Sequence, residues 1–314
     1  MPPVDDHRAQ PAEPRRGAPP ARTPAARVPV TAATPAAPVD ERFFVAPEVG
    51  LHLRRWPGQG RPFLLVHGLS SNARLWDPVA RELSAAGHPV VAVDLRSHGD
   101  SDVPPDGYDT ATAACDLAAL GVRGAIVAGQ SWGGNVVVEF AAARPDLVAA
   151  LALVDGGWLA PSTEYGSWEE CEAALRPPEI DGLPASRLRE FLRQSHPGWS
   201  AEALDDTQAN LRIWPDGSLT RRLSIARHMQ IVRSMWDDPP QPYYPAITVP
   251  VLLIPALPGD PAAAAERRSQ VEAAARALPD ATIREYPDAD HDLHAQHPHE
   301  LARDLLGLAA RLDP

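Results

Sequence analysis

From Phe43 onward, short apolar runs alternate with longer segments in which apolar residues recur at the helical period. Continuous runs such as Phe63-Leu64-Leu65-Val66 predict strands covered on both faces, because a strand with one face in water alternates apolar and polar residues. Buried strands that alternate with helices are typical of βα units and of a parallel sheet. The pattern therefore predicts an α/β fold.

The same pattern locates the individual strands and helices of this fold. The predicted strands are Phe43–Ala46, Leu51–Trp56, Phe63–His67, Pro89–Asp94, Ala125–Ala128, Ala149–Val154, Pro250–Pro255 and Ala281–Tyr286. The predicted helices are Leu75–Ala86, Thr110–Leu120, Trp132–Arg144, Pro261–Leu278 and Pro298–Leu312. We expect a mostly parallel eight-stranded sheet flanked by helices.

This alternation stops after the sixth strand. The segment 156–246 contains amphipathic stretches separated by prolines, and it holds five of the eight tryptophans: Trp158, Trp168, Trp199, Trp214 and Trp236. We interpret it as a helical cap inserted into a core made of residues 42–155 and 247–314. Its aromatic residues either pack the cap's own interior or line an apolar substrate pocket, because aromatic side chains dominate both kinds of site.

Residues 1–41 differ from the rest of the chain in composition. They are rich in Ala, Pro and Arg and contain few large apolar residues, which predicts a disordered tail. The pair Arg15-Arg16 is followed by Gly-Ala-Pro-Pro, where a twin-arginine export signal needs an apolar run. With no apolar run of about 20 residues, we expect no membrane contact and a cytoplasmic location.

Composition excludes several classes of function. The net charge of −12 disfavours nucleic-acid binding, which needs clustered cations. All 29 basic residues are Arg, so chemistry that depends on a lysine, such as Schiff-base formation, is excluded. Cys115 and Cys171 are far apart in sequence and are interpreted as reduced thiols, which cannot form a metal site by themselves. We expect no cofactor and no metal.

The strongest chemical motif lies between a predicted strand and a predicted helix. Gly129-Gln130-Ser131-Trp132-Gly133 follows the strand that ends at 128 and opens the helix that begins at 132. A G-x-S-x-G string in this context predicts a tight turn that exposes a nucleophilic serine. Unpaired N–H groups at the start of a helix can stabilise an oxyanion beside it. Ser131 is therefore the candidate nucleophile.

Two further motifs precede this turn, each directly after a predicted strand: His67-Gly68-Leu69-Ser70-Ser71-Asn72 and Asp94-Leu95-Arg96-Ser97-His98-Gly99-Asp100-Ser101-Asp102. In this order the three motifs resemble those of the α/β-hydrolase superfamily, from about Phe43 to the C-terminus. The resemblance implies that the N–H groups of Leu69 and Trp132 form the oxyanion hole. For His67 we favour a structural role in orienting its loop over a catalytic one, because the general base is expected late in the chain. Ser97 departs from the family pattern, which usually has Gly there.

The resemblance places the catalytic histidine late in the chain, at His291, in the loop after the last predicted strand. The order Ser, acid, His then agrees with the superfamily. Asp155, at the end of the strand predicted before the insertion, and Asp260, after the strand predicted at Pro250–Pro255, are both candidates for the acid. We favour Asp260, because members of the superfamily usually carry the acid after the strand that corresponds to Pro250–Pro255. His294, His297 and His299 follow closely, but without a fourth ligand at a recognisable spacing we expect exposed side chains and not a metal site.

These residues imply two-step acyl transfer through an acyl-enzyme. We expect a serine hydrolase acting on a small apolar carboxylic ester. Hydrolysis of a C–C bond, lactone, thioester or amide, or a perhydrolase reaction, uses the same kind of site. A non-catalytic ligand-binding protein of this fold is the alternative from another class. The expected partner is a small apolar molecule and not nucleic acid or membrane, and the oligomeric state stays open.

Overall fold

A computed structural model describes residues 37–312. The main sheet has eight strands in the order β1-β2-β4-β3-β5-β6-β9-β11. These strands are β1 Val39–Ala46, β2 Val49–Trp56, β3 Phe63–Val66, β4 Val90–Val93, β5 Ala125–Gln130, β6 Val148–Val154, β9 Val251–Ile254 and β11 Ala281–Ile283. Strand β2 is antiparallel to β1 and β4, and all other pairings are parallel. The predicted mostly parallel eight-stranded sheet is confirmed.

Helices cover both faces of this sheet, as the continuous apolar runs predict. Along β3, Leu64 and Val66 face one core, and Phe63 and Leu65 face the other. The first core packs against α2 Thr110–Ala119, α3 Trp132–Ala143 and α9 Pro261–Ala277. The second core packs against α1 Asp77–Ala85 and α11 Pro298–Leu312. Each of these five helices coincides with a predicted one to within two residues at either end.

The first strand begins earlier than expected. Residues 39–41, assigned to the tail from composition, belong to β1, where Val39 pairs with Arg55 and Glu41 with Leu53 of β2. The charged residues Asp40 and Glu41 break the apolar pattern that indicates a buried strand. They are tolerated in β1 because an edge strand pairs with one neighbour only and its side chains can face water. The rest of the predicted tail, residues 1–36, lies outside the described residues.

The segment 156–246, here called the insert, lies between β6 and β9. Its helices are α4 Pro161–Glu164, α5 Trp168–Leu175, α6 Ala185–Ser195, α7 Ala201–Asp206 and α8 Ile225–Asp237. It also contains a hairpin of β7 Leu211–Ile213 and β8 Leu219–Arg221, which the sequence analysis missed. The turn of this hairpin contains Asp216 and Gly217, and Gly217 has a φ of 81° that favours glycine.

Three short elements complete the fold near the second half of the sheet. Strands β10 Ala256–Leu257 and β12 Tyr286–Pro287 form a small parallel pair, and α10 Leu293–Gln296 precedes the last helix. The β10–β12 pair leads into the loop that carries His291. Among residues 37–312, no helix is long and apolar enough to cross a membrane.

Candidate active site

Ser131 occupies a tight turn between β5 and α3. Its φ of 54° and ψ of −126° are strained for a residue with a side chain. Its N–H donates to the Val154 carbonyl at 3.0 Å, which ties the turn to the neighbouring strand. A Cβ on Gly129 would lie 2.3 Å from the Gly133 carbonyl oxygen, and one on Gly133 would lie 2.4 Å from that of His67. The two glycines are therefore required by close packing.

His291 pairs with Asp155 and not with Asp260. The distance from His291 Nδ1 to Asp155 Oδ2 is 2.5 Å, and the Asp155 side chain is 2% exposed. Asp260 instead caps helix α9, where its Oδ2 accepts from the Ala263 N–H at 2.8 Å. The preference for Asp260 is corrected by this contact. Asp260 lies six residues past the end of β9, and its carboxylate caps the helix, whereas Asp155 directly follows β6.

The Asp155 carboxylate is held by further hydrogen bonds. Its Oδ1 accepts from the Ala256 N–H at 3.1 Å and from Arg267 Nη1 at 2.6 Å. Burial acts to lower the pKa of His291, and the positive charge of Arg267 adds a smaller effect in the same direction. The hydrogen bond and the negative charge of Asp155 outweigh both, so the net pKa of His291 is raised above its usual value. The sequence analysis missed Arg267, because an arginine in the middle of a surface helix carries no motif.

Ser131 and His291 line one cavity of about 120 Å³. About half of the His291 side chain (47%) is exposed at this cavity. Gln130 Nε2 donates to the His291 carbonyl at 3.2 Å, which joins the serine turn to the histidine loop. Among the described residues, no direct hydrogen bond joins Ser131 to His291. Because catalytic hydrogen bonds are often long before substrate is bound, the lack of a direct hydrogen bond does not argue against a serine–histidine pair.

Two backbone N–H groups near Ser131 match those that the resemblance implies. A Cβ on Gly68 would lie 2.8 Å from the Ser131 Cβ, so the loop that carries Leu69 packs directly against the serine. In the described part of the chain, the Leu69 N–H has no hydrogen-bond acceptor. Trp132 begins α3, so its N–H has no acceptor within the helix. Among the described residues, neither amide is therefore used in a backbone hydrogen bond.

The loop beside Leu69 is held by two buried histidines. Ser70, with a φ of 60°, donates its N–H to His98 Nε2 at 3.1 Å, and its hydroxyl lies 3.0 Å from Nδ1 of His228 in α8. Burial lowers the pKa of His98 to about 3 and of His228 to about 4, so both rings are neutral near pH 7. The neutral His98 ring can therefore accept at Nε2 while Nδ1 donates to the Arg96 carbonyl.

His67 and Ser97 support the same loops. His67 is fully buried; its Nε2 accepts from the Leu95 N–H at 3.0 Å and its Nδ1 donates to the Gly68 carbonyl at 2.7 Å. It thus joins two loops without reaching the cavity, in line with a structural role. Ser97 has a φ of 64°, which explains why glycine is usual at this position.

The three late histidines point to different surroundings. His294 is fully buried against Trp76, with ring centroids 4.8 Å apart, and neither of its ring nitrogens has a hydrogen-bond partner among residues 37–312. His297 lies beside Tyr286, and His299 contacts Glu82. The expected exposure is therefore wrong for His294, because α10 turns its side chain inward.

One group of His and Asp side chains has the spacing of a metal site. The ligand atoms of His52, Asp94 and Asp100 lie within 4.8 Å of one another. However, Asp94 Oδ2 already contacts His52 Nδ1 at 2.7 Å and accepts from the Asp100 N–H at 2.9 Å, and its Oδ1 accepts from the Ala73 N–H at 2.7 Å. These hydrogen bonds make Asp94 an organiser of the surrounding loops.

The insert contacts the loops around Ser131 at several points. Asn72 Nδ2 donates to the Asp206 carbonyl at 3.0 Å and to Asn210 Oδ1 at 2.8 Å. Trp199 lines the cavity with Ser131, and its Nε1 donates to Asp290 Oδ2 at 3.2 Å.

The other tryptophans of the insert do not line this cavity. Trp158 is buried in the main core, Trp168 packs edge-to-face on Trp236, and Trp214 is 42% exposed. Of the two roles left open for these side chains, packing within the insert describes Trp168 and Trp236, and lining of a cavity describes Trp199. Trp158 and Trp214 fit neither role.

A second, larger cavity adjoins the one that contains Ser131. It measures about 520 Å³, is lined by residues of the insert and by Ser70, and shares Ser70, Thr207 and Asn210 with the first cavity. Its volume falls within the range of about 300–1,000 Å³ that is typical of ligand sites. Substrate groups too large for the first cavity therefore have adjacent space.

Comparisons with known proteins identify relatives of this chain. A family model described as "Alpha/beta hydrolase family" matches residues 63–304. The 2-(acetamidomethylene)succinate hydrolase of Mesorhizobium japonicum is 31% identical over 254 residues, which are 78% of this chain and 86% of that protein. A non-heme chloroperoxidase of Streptomyces lividans is 40% identical over 103 residues, 31% of this chain and 37% of the relative.

Solved structures match over most of the chain. The crystal structure of E-2-(acetamidomethylene)succinate hydrolase superposes with a TM-score of 0.69 at 24% identity, covering 86% of this chain and 98% of that one. A thioesterase domain from the curacin biosynthetic pathway gives a TM-score of 0.70 at 19% identity, covering 86% and 100%. At these identities the superpositions establish the fold.

Proposed function

Because the chain belongs to the alpha/beta hydrolase family, we propose that it is a serine hydrolase that cleaves a small carboxylic ester through an acyl-enzyme. The observation that carries this proposal is the His291–Asp155 pair at the cavity that also contains Ser131. In this assignment Asp155 is the acid. Its carboxylate accepts from Nδ1–H of His291 and leaves Nε2 free to take the serine proton.

The reaction proceeds in two steps. His291 Nε2 accepts the Ser131 proton as Oγ attacks the ester carbonyl, and the oxyanion is stabilised by the N–H groups of Leu69 and Trp132. When the C–O bond breaks, the imidazolium gives its proton to the departing alcohol. Water then attacks the acyl-enzyme and gives a proton to His291, which returns it to Ser131 as the acid leaves.

In this proposal the insert is a cap that closes the site and receives the substrate. Support comes from its contacts with the catalytic loops through Asn210, Trp199 and His228, and from the apolar cavity that it adds beside the serine. Closing the site over the ester excludes water and strengthens the hydrogen bonds to the oxyanion.

Amide cleavage is the second candidate. It is favoured by the relative that matches 78% of this chain, which is named as a hydrolase of 2-(acetamidomethylene)succinate, a compound with an acetamido group. A 4-nitrophenyl ester and the 4-nitroanilide of the same acid distinguish the two reactions directly.

The test of the proposal is labelling by a fluorophosphonate probe together with hydrolysis of 4-nitrophenyl esters. We expect the probe to label Ser131, and we expect Ser131→Ala to remove labelling and to lower kcat by about 10⁶-fold while the thermal midpoint stays unchanged. Activity within tenfold of the parent would refute the nucleophile assignment. A parent protein that neither reacts with the probe nor cleaves any ester or anilide would support the non-catalytic alternative.

A further inference from the structure

The larger cavity in the insert is apolar except for a few charged side chains. Its walls include Leu183, Leu188, Leu192 and Leu219, together with Ile180 and Phe191. Two arginines, Arg187 and Arg221, and one carboxylate, Glu179, also line it. This leaves one net positive charge on the cavity wall of a protein whose net charge is −12.

Arg221 has hydrogen-bonding capacity that the described residues leave unused. Its Nη2 donates to the Pro178 carbonyl at 2.8 Å, but its Nε is buried without a partner. Asp181 lies nearby, yet its Oδ1 accepts from the backbone N–H of Arg221 at 2.9 Å. No carboxylate of residues 37–312 lies within the 4.0 Å of an ion pair from the Arg221 guanidinium.

Two other arginines of this region form ion pairs. Arg222, the next residue, pairs with Asp100 at 2.9 Å, and Arg176 pairs with Glu172 at 3.4 Å. Burial lowers the pKa of the Arg221 guanidinium, although the nearby charges of Asp181 and Glu179 act to raise it. A partly buried cation with no described carboxylate at ion-pair distance lowers stability, and an anionic ligand can compensate that cost.

We propose that this cavity binds the part of the substrate remote from the scissile bond, and that this part ends in a carboxylate held by Arg221. This inference rests on the proposed function. The substrate class is then an ester, or amide, whose apolar chain carries a terminal carboxylate. The guanidinium suits this role because its N–H groups match the two oxygens of a carboxylate. The apolar walls accommodate the intervening methylene groups.

The test compares two esters of the same chain length. The mono-4-nitrophenyl ester of adipic acid carries a terminal carboxylate, and 4-nitrophenyl hexanoate does not. In Arg221→Met, which removes the charge but keeps an apolar stem, we expect kcat/KM for the adipate ester to fall about 10- to 100-fold, the value of a charge-assisted hydrogen bond. We expect kcat/KM for the hexanoate ester to change less than twofold.

Two further variants serve as controls. Arg221→Lys keeps the charge and should retain most of the preference for the adipate ester. Arg212→Met removes an exposed arginine of the same hairpin that stacks on Trp214 and does not line this cavity, and it should leave the preference unchanged. An adipate-to-hexanoate ratio that is the same in the parent and Arg221→Met would overturn the inference.

Fluorophosphonate labelling of each preparation separates this inference from the proposed function. Normal labelling with an unchanged ratio refutes the carboxylate site alone. If the parent is not labelled, the proposed function fails, and calorimetric binding of monomethyl adipate then tests the site without catalysis. Binding that weakens at least tenfold in Arg221→Met supports the site, and equal or absent binding in both proteins overturns it.

Discussion

Replacing Asp155 by Asn tests the central pair of the site. Oδ1 of Asp155 accepts from two donors, the Ala256 N–H and Arg267, while Oδ2 faces His291 Nδ1. In Asp155→Asn the amide oxygen is best placed on the side with two donors, so the amide NH₂ faces the imidazole. His291 must then accept at Nδ1 and carry its proton on Nε2, the atom that should receive the proton of Ser131.

The expected loss follows from this wrong tautomer. We expect kcat for a 4-nitrophenyl ester to fall about 10⁴-fold in Asp155→Asn, as for loss of the acid in other triads. The remaining activity should also show a changed pH profile. Because Asp155 raises the pKa of His291 and the base acts as neutral imidazole, the acid limb of kcat/KM should move to lower pH in the variant.

Asp260→Asn is the matched control. It makes the same chemical change at the other candidate acid, and Asn caps a helix about as well as Asp, so helix α9 and its stability should be preserved. We expect kcat within twofold of the parent. A larger loss in Asp260→Asn than in Asp155→Asn, with both variants folded by circular dichroism, would refute the assignment of the acid.

Three further predictions concern Arg267, His294 and Trp199. Arg267 lowers the pKa of His291, so Arg267→Gln should move the acid limb of kcat/KM to higher pH, and a shift to lower pH would contradict this. Burial lowers the pKa of His294 from 6.5 to about 4. Between these two pH values, His294 is protonated in the unfolded chain but neutral in the folded protein. Urea unfolding of His294→Leu should therefore lose stability with falling pH less steeply than the parent, by up to about 1.4 kcal/mol per pH unit, and equal slopes would refute it. Across 4-nitrophenyl esters of rising acyl length, kcat/KM should increase about fourfold per CH₂ until the pocket is full. Trp199→Ala should change this dependence on acyl length, and Trp214→Ala should not. A series that is flat in the parent and unchanged in both variants would contradict the role of Trp199 in lining the pocket.

The sequence predicts the sheet well because its strands are buried on both faces. Runs such as Phe63–Val66 and Val251–Ile254 have no polar position to confuse with a helix face, and they are short enough to be strands. The Ser131 turn is also predictable, since Gly129 and Gly133 are imposed by local contacts. The first residues of the edge strand β1 and the whole β7–β8 hairpin are not predicted, because their exposed residues interrupt the apolar pattern.

Contacts between distant segments are harder to predict. Arg267, His98 and His228 support the site from a surface helix, a loop and the insert, and each depends on a partner far away in sequence. The same holds for Arg221, whose significance lies in the absence of a described carboxylate partner. No spacing along one chain reports such a pairing or its absence.

The choice between the two acids shows where this limit lies. Strands β6 and β9 are parallel neighbours, and Val154 pairs with Ile254, so their ends present the next residues at the same edge of the sheet. Both Asp155 and a residue shortly after β9 could therefore reach His291. The path of the chain beyond Ile254 decides which of the two carboxylates reaches His291. The chain continues after β9 through the two-residue strand β10, and Asp260 then caps helix α9. Asp155, held at a φ of 42° directly after β6, stays at the sheet edge beside the imidazole.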